Sequence, residues 1–146
     1  EIKVNGMVLG ETGINAAIAG AFSVPVVLVT GDSSVAREAV ATLGKVETVA
    51  VKEAVSGCAA KCMHPVKAQR LIRAAAEKAV KDRALYKPFV IEGPATVDVK
   101  FRSSVSCDFA VRLPDCSRID DLTLRHVSPS YLNGYRWMRA MFSMAR

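Results

Sequence analysis

Glu11 is the residue whose type and place could do chemistry. It opens a stretch to about Phe22 in which Ile14, Ala17, Ile18, Ala21 and Phe22 recur at helical spacing. Seven helical residues rotate by about 700°, which sets Glu11 almost in line with Ile18 and close to Ile14, on the apolar face. A carboxylate facing inward must be hydrogen-bonded, paired or metal-bound, because an unpaired buried charge is costly. The alternative is a Glu in a first helical turn that interacts with the dipole and reaches solvent. Asn15, one turn on, could orient the carboxylate or fill a polar edge of the helix.

Three other positions carry similar ambiguity. Asp32 ends the most apolar run, where open α/β sheets place their sites, yet Asp followed by Ser33 and Ser34 is also a helix N-cap. Lys61, beside Cys62, lies in an irregular stretch that could approach a ligand. His64 precedes Pro65 at a helix start, and His126 sits near a strand end among apolar neighbours, which suits structural roles better than ligation. There is no G-x-G-x-x-G fingerprint, phosphate loop, G-x-S-x-G elbow or H-E-x-x-H pair. No catalytic residue is assigned.

The elements that must position these groups follow from pattern. Ile2 to Val4, Asn5-Gly6 and Met7 to Leu9 read as a hairpin. After the Glu11 helix, Val24 to Thr30 reads as a strand covered on both faces. A helix then runs to Gly44, and Lys45 to Val51 forms another strand. Strand, helix, strand, helix, strand implies βαβ crossovers. Ser56 to Met63 resists assignment. Pro65 opens a helix to about Leu85, with Ala68, Leu71, Ile72, Ala75 and Ala79 inward.

Tyr86 to Pro94, rich in breakers, marks a boundary. Beyond it, Ala95 to Phe101 alternates as a half-buried strand. A short helix near Ser104 to Leu113, a strand from Leu122 to Val127 and a final helix from Ser128-Pro129 to Arg146 complete the chain. The expected fold class is α/β plus α+β: a βαβ layer over 1–86 completing an upstream α/β domain, then a βαβα module over 87–146. The chain opens on Glu1 directly in a strand pattern, as a piece of a longer protein would.

Composition narrows the classes. The chain has 146 residues, 51% hydrophobic, with a formal net charge of +6, which suits a soluble globular chain with a real core. The basic residues are densest along the third helix, as a solvated face, with no interleaved aromatics to stack on bases, so no nucleic-acid partner is expected. No apolar run is long enough to span a bilayer and no secretory signal pattern opens the chain, so no membrane partner is expected. The four cysteines lack C-x-x-C spacing and read as free thiols of a cytoplasmic protein.

Four collinear blocks then point to a family: NGMVLGETGINAAIAG (Asn5 to Gly20), VPVVLVTGD (Val24 to Asp32), VETVAVKEAVS (Val46 to Ser56) and KCMHPVKA (Lys61 to Ala68). Together they resemble the zinc-dependent D-aminopeptidases. The resemblance implies a self-compartmentalised homo-oligomeric peptidase that removes N-terminal D-residues, chiefly D-Ala, from short peptides with two zinc ions. The Glu of the family's G-E-x-G-x-N-A motif is a metal ligand, and it falls on Glu11. Asn15, Asp32 and Lys61 become candidates for orienting that ligand or meeting the substrate. The other ligands and the catalytic histidine belong to the family's N-terminal half, and neither His64 nor His126 matches them. The isolated chain is therefore expected to be inactive. The competing reading is a non-catalytic assembly or binding module, suggested by the aromatic and Met-rich last helix.

Overall fold

The computed structural model describes residues 1–144. In chain order the elements are β1 (Ile2–Val4), β2 (Met7–Val8), α1 (Glu11–Ala21), β3 (Leu28–Asp32), α2 (Ser33–Leu43), β4 (Glu47–Ser56), β5 (Ala59–Cys62), α3 (Pro65–Lys81), β6 (Ala95–Lys100), α4 (Ser104–Ala110), β7 (Cys116–Arg118), β8 (Thr123–Ser128) and α5 (Tyr131–Met144). They form two sheets in two compact units, one of residues 1–14 with 90 onward and the other of 15–89.

The first unit is built on a five-stranded antiparallel sheet in the order β2-β1-β6-β8-β7. The β1-β2 turn uses Asn5 and Gly6, both at positive φ (49° and 82°), which is why this pair makes a tight hairpin. Asn5 Oδ1 also accepts from the Thr96 amide at 2.8 Å, fixing the turn to β6. Ala95, Val97 and Val99 of β6 are buried while Thr96, Asp98 and Lys100 are not, the alternation expected of a sheet with one covered face. That face is covered by α5, against which α4 packs, and Cys107, Tyr131, Met138 and Met141 of these helices are buried, as are Leu124 and Val4 of the sheet. The last part of the expected final helix, at 145 and 146, lies outside the described residues.

Two expectations change here. Sequence pattern makes the β1-β2 hairpin the opening strand of the βαβ series, but β1 pairs with β6, from Ile2 opposite Val99 to Val4 opposite Val97. Local pattern cannot reveal a partner more than 90 residues away. The tail also gains β7, a three-residue strand too short for an alternation signal. Its neighbourhood is fastened by His126, whose ring stacks on Trp137 with centroids 4.4 Å apart. The same ring lies 2.7 Å from the Asp115 carbonyl through Nδ1 and 2.7 Å from the buried Ser128 hydroxyl through Nε2.

The second unit holds the sheet β3-β4-β5. β3 and β4 are parallel and joined through α2, the expected βαβ crossover. β4 turns back into β5 as a hairpin across the stretch that pattern leaves unassigned, and every residue from Lys52 to Cys62 is exposed. α3 packs on β4 and β3. It stops earlier than the expected Leu85, giving way to a 3-10 turn at Arg83–Leu85. Glu47 of β4 accepts from Lys78 Nζ at 2.8 Å and from the Tyr86 hydroxyl at 3.1 Å, tying the helix and its exit to the sheet.

β3 starts later than the expected Val24. Pro25 has no amide to donate, and Ser23 at φ 59° turns the chain out of the preceding helix. Val26, Val27, Leu28 and Val29 are half-buried rather than covered on both faces. The physical reason is position: among the described residues β3 has one hydrogen-bonded neighbour, β4, and its other edge is open.

Candidate functional site

α1 positions the first candidate, Glu11, in its first turn. The helix buries Gly13, Ile14, Ala16, Ala17 and Gly20. At about 100° per residue, Glu11 stands roughly 150° around the helix from the centre of that buried face. The inward orientation read from Ile14 and Ile18 is therefore corrected. Glu11 is exposed, and so is Asn15 one turn on; Ile18 is half-buried, and Phe22 just past the helix is 67% exposed. Beside Ile14 the buried side is made of small residues, Gly13, Ala16, Ala17 and Gly20, which let backbones approach closely. A Cβ on Gly20 would come within 2.0 Å of the Phe89 carbonyl oxygen. The start of the helix is held by Tyr131, whose hydroxyl donates to the Ile14 carbonyl at 2.8 Å in a buried setting.

Glu11 and Asn15 thus share one uncovered helix face, and neither side chain has a hydrogen-bond or ion-pair partner among the described residues. The first turn of a helix is also where its dipole favours negative charge. The Glu11 carboxylate is a donor without a commitment.

Asp32 is committed. It is the N-cap of α2, its Oδ1 accepting from the Ser34 and Val35 amides, both at 2.8 Å. The Val35 amide, then that of Ser34 and the Lys52 and Arg37 charges, hold its carboxyl below the usual carboxylate range against partial desolvation.

Lys61 stands on β5 opposite Glu53, exposed. It lines a cleft of about 460 Å³ with Ser33, Arg37, Lys52, Glu53 and Met63. A smaller hollow on the other side of Lys52 is bordered by Asp32 and by Cys58 of the hairpin. Sequence reasoning does not single out Arg37 and Lys52. Their link to Lys61 depends on the β4-β5 hairpin, which carries no turn dipeptide strong enough to announce it.

The remaining candidates join no metal-holding group among the described residues. His64 is the exposed residue before α3 and makes no side-chain cap. All four thiols are unpaired: Cys58 and Cys62 are exposed and Cys107 is buried. Desolvation pushes the Cys107 and Cys116 thiols up, away from the thiolate a nucleophile needs.

Among the described residues no three His, Cys, Asp or Glu side chains gather as a metal-holding group. A hydrolytic zinc takes three protein donors and keeps a position open. Glu11 can supply one of them. These residues alone do not hold such an ion, and no catalytic step through it is assigned to them.

The fold and sequence of this chain have known counterparts. This chain belongs to the D-aminopeptidase family (Peptidase_M55), whose pattern matches residues 1–140. It is 30% identical over 143 residues to the D-aminopeptidase of Bacillus subtilis (strain 168), a match that covers 97% of this chain and 52% of that protein. It also superposes, with a TM-score of 0.95 and 29% identity, on the solved Zn-dependent D-aminopeptidase DppA from Bacillus subtilis, described as a self-compartmentalizing protease. That match covers 99% of this chain and 53% of the other. The chain therefore spans about half the length of the curated relative it matches. The mixed α/β fold expected from sequence is the fold of that neighbour.

Proposed function

We propose that the protein containing this chain is a zinc-dependent aminopeptidase that releases N-terminal D-amino acids, D-Ala foremost, from short peptides, and that Glu11 is one of its metal ligands. The observation that carries the reading is the free Glu11 carboxylate on the uncovered face of α1, in a chain of the D-aminopeptidase family. Asn15, exposed one turn away, is the residue that would orient that carboxylate once an ion is bound. The other donors for the ion, taken to be two zincs per complete site, come from residues beyond these 146. When bound, the metal would activate water and polarise the scissile carbonyl. What this chain itself does is present one carboxylate on a rigid helix whose first turn is pinned by Tyr131.

On the same reading the protein is cytoplasmic, consistent with four unpaired thiols. It is also a homo-oligomer, by analogy with the self-compartmentalizing neighbour. Among the described residues no helix is long and apolar enough to cross a membrane. A pure assembly module loses its main support, because Tyr131, Met138 and Met141 of α5 are buried in the core of their own unit. Alone, the chain is inactive.

The test is hydrolysis of D-Ala dipeptides by the full-length protein before and after chelation, with Glu11→Gln beside wild type. Chelation should abolish turnover and zinc should restore it. Glu11→Gln should lose bound metal together with activity. A variant with full zinc content and unchanged turnover refutes the ligand assignment.

A further inference from the structure

β3 is an edge strand with the composition of an interior one. Val26, Val27, Val29 and Thr30 are β-branched, and no residue from Val26 to Gly31 is charged or proline. Native edges are ordinarily guarded by charge, proline, shortness or a break in the ladder. The opposite edge of the same sheet is guarded in this way: β5 is short, contains Lys61, and pairs irregularly with β4 between Ala54 and Ser56. β3 keeps its register with β4 until the last step, from Gly31 to Asp32. Parallel strands also ordinarily lie inside a covered sheet. Here Val26, Val27, Leu28 and Val29 are half-buried, and the approach to the strand exposes Phe22 by 67% and Val24 by 53%.

The register fixes which backbone groups are free. Leu28 lies opposite Glu47, and the Glu47 amide donates to the Val27 carbonyl at 3.1 Å. Along a parallel ladder alternate residues turn both N–H and C=O to the same neighbour, so Val27, Val29 and Gly31 serve β4. The N–H and C=O groups of Leu28 and Thr30 therefore face the open edge, and nothing among the described residues bonds to them there. Packing in this unit is incomplete at a second point. Glu38 of α2, the helix that packs on β3 and β4, keeps a buried carboxylate oxygen with no hydrogen-bond partner among the described residues, and a buried acceptor calls for a donor.

We infer that a strand from the part of the protein beyond these 146 residues adds to β3 through the backbone groups of Leu28 and Thr30, making β3 an interior strand. The occupant rests on the reading of this chain as part of a longer peptidase, since its curated relative is matched over 52% of that relative's length; the pairing edge itself does not. A segment of the same polypeptide has a higher effective concentration at this edge than a second copy has, and the second copy is the competing occupant.

Residue-resolved hydrogen exchange on the full-length protein reads the edge. The amides of Leu28 and Thr30 should exchange at least about a hundredfold more slowly than in an unstructured chain, as should those of Val29 and Gly31. Protection of Val29 and Gly31 with free exchange at Leu28 and Thr30 leaves the edge bare and overturns the proposal. Photocrosslinking of the full-length protein, with p-benzoylphenylalanine in place of the exposed Val24, identifies the occupant. The expected product has the mass of one chain and joins position 24 to a peptide outside these 146 residues. A product of twice that mass makes the occupant a second copy, and a link confined to the 146 residues makes it this segment itself; either overturns the assignment. Hydrolysis of D-Ala peptides is scored separately, so its absence sinks the peptidase reading and leaves the exchange result standing.

Discussion

Replacing Tyr131 by Phe should change how stability depends on pH, and the size follows from one buried hydroxyl. Tyr131 is 3% exposed, and its hydroxyl donates to the Ile14 carbonyl at 2.8 Å. Burial first, then the neighbouring Tyr135, pushes its pKa up to about 12, against about 10 in an unfolded chain. Above pH 10 the unfolded state releases the phenolic proton while the folded state keeps it. Stability is therefore whole below about pH 10 and falls as pH rises toward 12. Each tenfold difference in acidity between the two states is worth about 1.4 kcal/mol, so the loss amounts to roughly 2 to 3 kcal/mol. At neutral pH the variant should be less stable by about 1 kcal/mol, the usual net worth of such a bond. Urea melts of wild type and Tyr131→Phe between pH 7 and 12 make the comparison, and subtraction removes the lysines that titrate in both. The gap should close or reverse between pH 10 and 12. Parallel curves across the whole range would refute the claim that Tyr131 is neutral and bonded at the start of α1.

Gly20→Ala should strongly destabilise the unit of residues 15–89, because its Cβ would meet the Phe89 carbonyl at 2.0 Å and backbone must move; a thermal melt no lower than wild type would contradict the packing. His126→Ala should cost about 1 to 3 kcal/mol by leaving the buried Ser128 hydroxyl without its ring partner, and Trp137 emission should change as its stacked neighbour disappears. A thiol reagent should modify Cys58 and Cys62 of the native chain rapidly and Cys107 only on unfolding. Uniform labelling of all three would mean that Cys107 is not in the core.

How far the sequence leads depends on the range of the interaction being read. The Asn5-Gly6 hairpin, the α2 crossover between parallel strands and the alternation of Val97 and Val99 are local, and each appears as expected. The pairing of β1 with β6 is not local, and no periodicity in residues 1–8 records it. β5 escapes detection because Gly57 and Cys58 form an exposed turn followed by Ala59 and Ala60, which lack the β-branched signature of strands. That gap also hides the cleft that Lys61 lines with Lys52 and Arg37.

Glu11 shows how the same residue can be reached through a wrong geometry. Helical spacing from Ile14 and Ile18 turns it inward, whereas Gly13, Ala16, Ala17 and Gly20 turn it outward. Hydrophobicity scales weigh large side chains, but close packing of this helix is decided by small ones. An outward carboxylate supports a ligand role differently: it is available to an ion held in common with residues outside this chain, rather than trapped and in need of one.

The most direct measurement of that role is anomalous diffraction at the zinc edge from crystals of the full-length protein. A zinc peak with a Glu11 carboxylate oxygen at about 2.0 to 2.2 Å is the expected result. Zinc bound with Glu11 turned to solvent, or Glu11 closed by a salt bridge to an arginine or lysine, would contradict it.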